Sequence, residues 1–112
     1  MKKFRCLIVL IFTMLSSSAF SGEWSVASKV LVTYAHSGSG GYGVFQLENM
    51  TINPDSCTSP MYYVVSKEHN PVFDEVYSML LAAHLSEKKA QVWIAGCSPH
   101  NHPEIQHARL VE

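Results

Sequence analysis

Two pairs of side chains in this chain carry chemistry by type and spacing. Cys57 and Cys97 stand far apart and share a strand-rich sequence. In an oxidising compartment such a pair most simply forms one disulfide, worth about 4 kcal/mol for so long a ring in a chain-entropy account. A thiolate nucleophile or metal ligand is the alternative, and it requires the reduced state. His100 and His102 form an H-x-H pair in Ser98-Pro99-His100-Asn101-His102-Pro103, with His36, His69, His84 and His107 elsewhere. A zinc site needs three or four converging ligands, so this pair alone supplies half a site and reads as a solvated loop. No metal or other cofactor is expected.

Other patterns carry less. Gly38-Ser39-Gly40-Gly41-Tyr42-Gly43 matches G-x-G-x-x-G. A dinucleotide site needs a helix next, whereas Val-Phe-Gln-Leu follows, so the match reads as a hairpin tip. Asp74 and Glu75 diverge by about 100° on a helix and cannot act as an acid/base pair. The chain has no G-x-S-x-G elbow, P-loop or H-E-x-x-H, and no catalytic set is expected. Asn49-Met50-Thr51 fits a glycosylation sequon, which has little meaning behind a short, Lys-rich, bacterial-looking leader.

That leader sets the compartment. Lys2, Lys3 and Arg5 precede an apolar stretch from Cys6 to Leu15, and Ala19 and Ser21 are small residues suited to a signal peptidase. The stretch is about half the ~20 residues that span a bilayer. Residues 1–21 therefore read as a signal peptide and 22–112 as a single domain, secreted or periplasmic. Cleavage removes three of eight basic residues, leaving five against nine acidic residues, and one of three cysteines. With no basic excess, nucleic acid is an unsuitable partner. The whole chain is 47% hydrophobic, 15% charged and 11% aromatic, which excludes a disordered chain.

The elements that must position these residues follow from periodicity. Lys29 to His36 is a strand of β-branched and aromatic residues, Ser37 to Gly43 a glycine-rich turn, and Val44 to Leu47 the returning strand. Met61 to Ser66 is a third strand, apolar on both faces. Asn70 can cap a helix with Pro71 in its first turn and Lys88 and Lys89 in its last. Val72, Phe73, Val76, Tyr77, Leu80, Leu81 and Leu85 form the expected core stripe. Glu75, Met79, Ala82 and Ser86 make a second face, that of an ordinary good helix former or a smooth surface for another subunit. Ala90 to Cys97 and Glu104 to Val111 complete five strands, the last with the imperfect alternation of a bulge. The expectation is a mostly β, five-stranded OB-fold barrel, ordered β-β-β-α-β-β, with one disulfide.

With these features in place, the chain resembles the B subunits of pentameric AB-type toxins, in pattern nearest the subtilase cytotoxin B-subunit group. The resemblance runs from Glu23-Trp24 through Val30 to Gly38 (VLVTYAHSG), Cys57, the helix FDEVYSMLLAAHLSEKK and the strand AQVWIAGC. It implies a homo-pentamer of barrels that binds cell-surface glycans on the outer face and has no enzymatic activity. It also implies a sialic acid contact for Ser28, which precedes the first strand. A sugar site joins hydrogen-bonding groups to an aromatic platform, and Trp24, Tyr34 and Tyr42 are the candidate platform near the first hairpin. The alternative is a protein- or peptide-binding module without sugar recognition.

Overall fold

The computed structural model describes residues 22–112; the leader assigned to residues 1–21 lies outside the described residues. The chain is mostly β with one helix. The strands are β1 (Glu23–Trp24), β2 (Ser28–His36), β3 (Tyr42–Leu47), β4 (Tyr63–Ser66), β5 (Lys89–Cys97) and β6 (Pro103–Leu110), with α1 (Phe73–Ser86) between β4 and β5. There are six strands where the sequence suggests five. The extra one, β1, is too short to show a periodicity; it is added by pairing Glu23 with Ile94 and Trp24 with Trp93. The sheet runs β1-β5-β2-β3-β4-β6, and a further β5–β6 ladder links its last strand back to β5. All pairings are antiparallel except β4–β6, which meet in parallel at Val64 and Glu104.

Strand alternation puts Val30, Phe45, Leu47, Val65, Val92 and Ile94 inside, where they pack against Val76, Leu80 and Ala83 of α1. Leu80 is fully buried, so truncation to alanine there costs about 2–5 kcal/mol. The helical stripe is shorter than its periodicity suggests. Leu85 is 79% exposed and Val72 is 39% exposed, because the two ends of α1 overhang the strands and Ala83 takes the last inward position. At the start, Pro71 and Val72 form a turn before the helix proper. The helix N-cap is Val72, without a side-chain cap, rather than the expected Asn70, whose Oδ1 accepts the Val72 N–H at 2.9 Å within that turn. Asn70 Nδ2 donates to the Ile105 and Gln106 carbonyls, fixing the helix start to β6. At the end, Glu87 adopts a left-handed conformation (φ 56°), and the Lys88 N–H closes on the Ala83 carbonyl. Lys88 and Lys89 thus lie past the helix, with Lys89 already in β5.

Two glycines are required by the geometry. A Cβ at Gly43 would lie 2.6 Å from the Tyr77 ring and 3.0 Å from Val65 Cγ1, so the close approach of Tyr77 to β3 at this point requires glycine. Gly96 has φ 85°, in the stretch where the β5–β6 register shifts. The irregularity expected in the last strand is thus present, between Trp93 and Ile94 and again between Ile94 and Cys97. Pro103, expected in a turn, opens β6 opposite Cys97, and Met61, expected in a strand, lies outside β4 and is 65% exposed. Proline suits a strand's first residue, where its missing N–H leaves no gap in the ladder.

Cys57 and Cys97 form the disulfide, with Cα atoms 5.6 Å apart. The loop before it is held on both sides. Asn53 Oδ1 accepts the Cys57 N–H, Asn53 Nδ2 donates to the Cys57 carbonyl, and the Asp55 carboxylate accepts the Gly96 N–H at 2.6 Å. Among the described residues no helix is long and apolar enough to cross a membrane.

Candidate functional site

The end of β2, the start of β3 and the β5–β6 loop surround a pocket of about 260 Å³. Tyr34, His36, Tyr42, Val44, Val64, Ser98, His100 and His102 line it. The hairpin supplies the first four of these side chains. The loop after Cys97 supplies Ser98, His100 and His102, and the disulfide ties that loop to the Cys57 segment.

The loop is internally built. Ser98 N–H donates to the His102 carbonyl, Asn101 N–H donates to the Ser98 carbonyl, and Ser98 Oγ accepts the His102 N–H. Asn101 sits at φ 63°, a conformation that asparagine tolerates better than most residues. Ser59, two residues after Cys57, donates its N–H to the Asn101 carbonyl, and its own carbonyl lies 2.6 Å from His102 Nδ1. A carbonyl only accepts, so His102 carries a proton on Nδ1, and Nε2 of the neutral ring is left as an acceptor. His36 has the reverse arrangement. Its Nδ1 accepts the Gly38 N–H at 3.0 Å, which puts the proton of the neutral ring on Nε2. His36 therefore offers the pocket an imidazole donor and His102 an imidazole acceptor.

Ring contacts organise the rest. Tyr34 meets Tyr62 edge to face at 6.0 Å, and Tyr62 meets His102 in the same way at 6.0 Å. His36 and His100 meet at 5.9 Å across the mouth, joining hairpin to loop. Such pairs contribute about 0.5–1.5 kcal/mol each beyond burial. Tyr42 is buried. Burial pushes its hydroxyl above the usual tyrosine range, helped by the Glu104 charge, with a Ser66 hydrogen bond opposing; it therefore stays protonated, a donor, at neutral pH. The pocket so combines tyrosine and imidazole rings with hydroxyl and ring N–H groups. Among the described residues no three His, Cys, Asp or Glu side chains are grouped so as to hold a metal ion.

The four candidate sugar-contact residues separate into two groups. Tyr34 and Tyr42 both line the pocket. Trp24 lies instead beside Trp93, ring centroids 5.6 Å apart, with the Arg109 guanidinium 4.0 Å from its ring centroid. Ser28, at a strand entry where an exposed hydroxyl is the ordinary expectation, is buried, and its Oγ accepts the Asn49 N–H. Sequence reasoning did not place His36, His100 and His102 around one pocket, nor Tyr62 behind it. The signal available was the H-x-H pair, but its partner His36 lies on a strand far away in the chain. His84, on the helix, is half-buried with Nδ1 2.9 Å from Thr33 Oγ1. Comparison with known protein families, curated proteins and solved structures finds no match for this chain.

Proposed function

We propose that the chain is an exported, non-enzymatic binding module built as an OB-type barrel, and that the Tyr34–His100 pocket takes a glycan. The barrel reading is supported by the circuit of pairings from β5 through β2, β3, β4 and β6 to β5. Its one parallel contact is β4–β6, and its helix lies between β4 and β5. Barrels of that kind bind oligosaccharides on the face of the second and third barrel strands, between two flanking loops. Here those strands are β3 and β4, and the flanking loops are the Ser37–Gly41 tip and the Ser98–His102 loop.

The single observation that carries the glycan reading is the lining of this pocket. Tyrosine and histidine rings provide flat apolar surface, while the His36 donor and the His102 acceptor are held in place by backbone contacts and the Tyr42 hydroxyl by a hydrogen bond with the Ser66 side chain. A fixed set of donors and acceptors beside aromatic surface suits a polyhydroxylated ring. Glycan-array binding by residues 22–112 tests it. Signal on a subset of glycans, lost in Tyr34→Ala/His100→Ala, supports the reading; array-wide background for the native protein rejects it.

A second reading, docking of a protein or peptide without sugar recognition, is favoured by Leu31 and Leu85, 53% and 79% exposed. Assembly into a homo-oligomer would cover such residues, and a toxin-like pentamer is the form the sequence resemblance implies. Light scattering at micromolar concentration tests assembly: a monomer rejects the pentamer and leaves the exposed leucines to another partner.

A further inference from the structure

Away from the tyrosine–histidine pocket, the outer surface of the β5–β6 pair holds a second groove of about 380 Å³, between Trp93, Ala95, Gly96, Glu104, Gln106 and His107. Its composition differs from that of the first pocket. Ala95 and Gly96 leave a floor with almost no side chain, and Trp93 forms one wall. The opposite wall is rich in acceptors. Gln106 Nε2 is committed to the Ala95 carbonyl at 2.9 Å, which leaves its Oε1 as the free polar atom of that amide. The Glu104 carboxylate takes no hydrogen bond from any described residue, although the side chain is half-buried. Burial pushes this carboxyl above its ordinary range, with His69 opposing.

The indole is braced. Trp24 meets Trp93 edge to face, Trp24 is itself covered by Arg109, and Arg109 Nε donates to Gln91 Oε1 at 2.9 Å. The chain at Gly22 passes so close to the Trp93 indole that a Cβ there would overlap it. Trp93 is thus held in position while remaining part of the groove wall.

We propose that this groove is a second saccharide subsite, taking a neutral pyranoside whose hydroxyls donate to Glu104 and Gln106 and whose C–H surface packs on Trp93. A half-buried carboxylate and a free amide oxygen both accept hydroxyl donors, and a sugar ring brings several of them beside an apolar edge. The groove shares no lining residue with the Tyr34–His100 pocket, although the Glu104 charge also reaches Tyr42 there.

The test uses a property of the chain: its two tryptophans, Trp24 and Trp93, both belong to this cluster, and the first pocket contains none. Tryptophan emission of residues 22–112 is titrated with the methyl glycosides of galactose, glucose, mannose and N-acetylglucosamine up to about 50 mM, past the ~1 mM range of weak specific binding. A saturable change with at least one glycoside is expected. Glu104→Gln, isosteric but uncharged, should weaken it at least about tenfold, as loss of hydrogen bonds to a charged group does. Gln106→Ala is the second variant; it removes the amide acceptor and should weaken the response several-fold. Circular dichroism spectra and thermal melts confirm that both variants are folded. The proposal is overturned by emission that no glycoside moves, or by a response that Glu104→Gln and Gln106→Ala leave at full strength. A response to ethylammonium with none to the glycosides also overturns it, since the groove would then be a cation site. A glycan that binds only through the first pocket leaves tryptophan emission unchanged, so the two sites are read separately.

Discussion

Loss of the Cys57–Cys97 bridge should unfold the domain at a much lower temperature and, before that, loosen the candidate pocket. The bridge joins residues 40 apart in sequence. On the chain-entropy account, closing a ring of that size removes about 4 kcal/mol of unfolded-state freedom. For a domain of this size 1 kcal/mol corresponds to roughly 4–8 °C in Tm, so Cys97→Ser should lower Tm by about 15–30 °C. The same bridge holds the Ser59 segment, whose carbonyl orients His102, against the loop that carries His100 and His102. Thermal unfolding of native and Cys97→Ser protein, followed by circular dichroism with and without reductant, gives the first magnitude. Reductant should lower the native Tm towards that of the variant and leave the variant unchanged. Histidine ring NMR gives the second: the His102 Nδ1–H resonance should be slow to exchange in native protein and broadened in the variant. A Tm loss under about 5 °C would refute the ring-closure reasoning for this fold, and an unchanged His102 resonance in the variant would refute the link from bridge to pocket.

Gly43→Ala should destabilise by about 1–3 kcal/mol in urea unfolding, since its Cβ would press into the Tyr77 ring and Val65. Glu104→Gln should stabilise the domain at neutral pH. The folded carboxyl titrates above its ordinary value of 4.5, so the charged native form is penalised and stability falls as pH rises through that interval. The advantage of Glu104→Gln should disappear as pH drops below the unfolded-state value, which urea midpoints across pH 3–8 will check (pH values of about that range span the titration). Ser25→Ala should cost about 1–3 kcal/mol in the same assay, because buried Ser25 Oγ accepts the Val92 N–H at 3.0 Å and that donor would lose its partner.

The elements with strong local signals were legible in the sequence. β2, β3, β5 and α1 follow from apolar periodicity, and the Cys57–Cys97 pair follows from there being no other cysteine among the described residues. Legibility ends where tertiary contacts decide. β1 has two residues and exists because Trp24 packs on Trp93. Leu85 has the spacing of a core residue but lies beyond the strands that α1 covers, and Ser28 has the composition of a surface residue but is buried under the Glu48–Asn49 turn.

The candidate site was legible by half for the same reason. Tyr34 and Tyr42 lie on one hairpin, so their proximity is local and readable. His36 and His100 are neighbours only because β2 and the β5–β6 loop meet at one end of the sheet. No residue spacing encodes that meeting. The tautomers of His36 and His102 are likewise set by backbone groups, the Gly38 N–H and the Ser59 carbonyl, whose positions depend on the folded turns.

The most direct measurement is an amide and histidine-ring NMR titration of residues 22–112 with sialyllactose and N-acetyllactosamine. Saturable shifts concentrated at Tyr34, His36, Tyr42 and Ser98 to His102 are the predicted result. Spectra that do not move, or shifts confined to the helix and its overhanging Leu85, would contradict glycan recognition at this pocket.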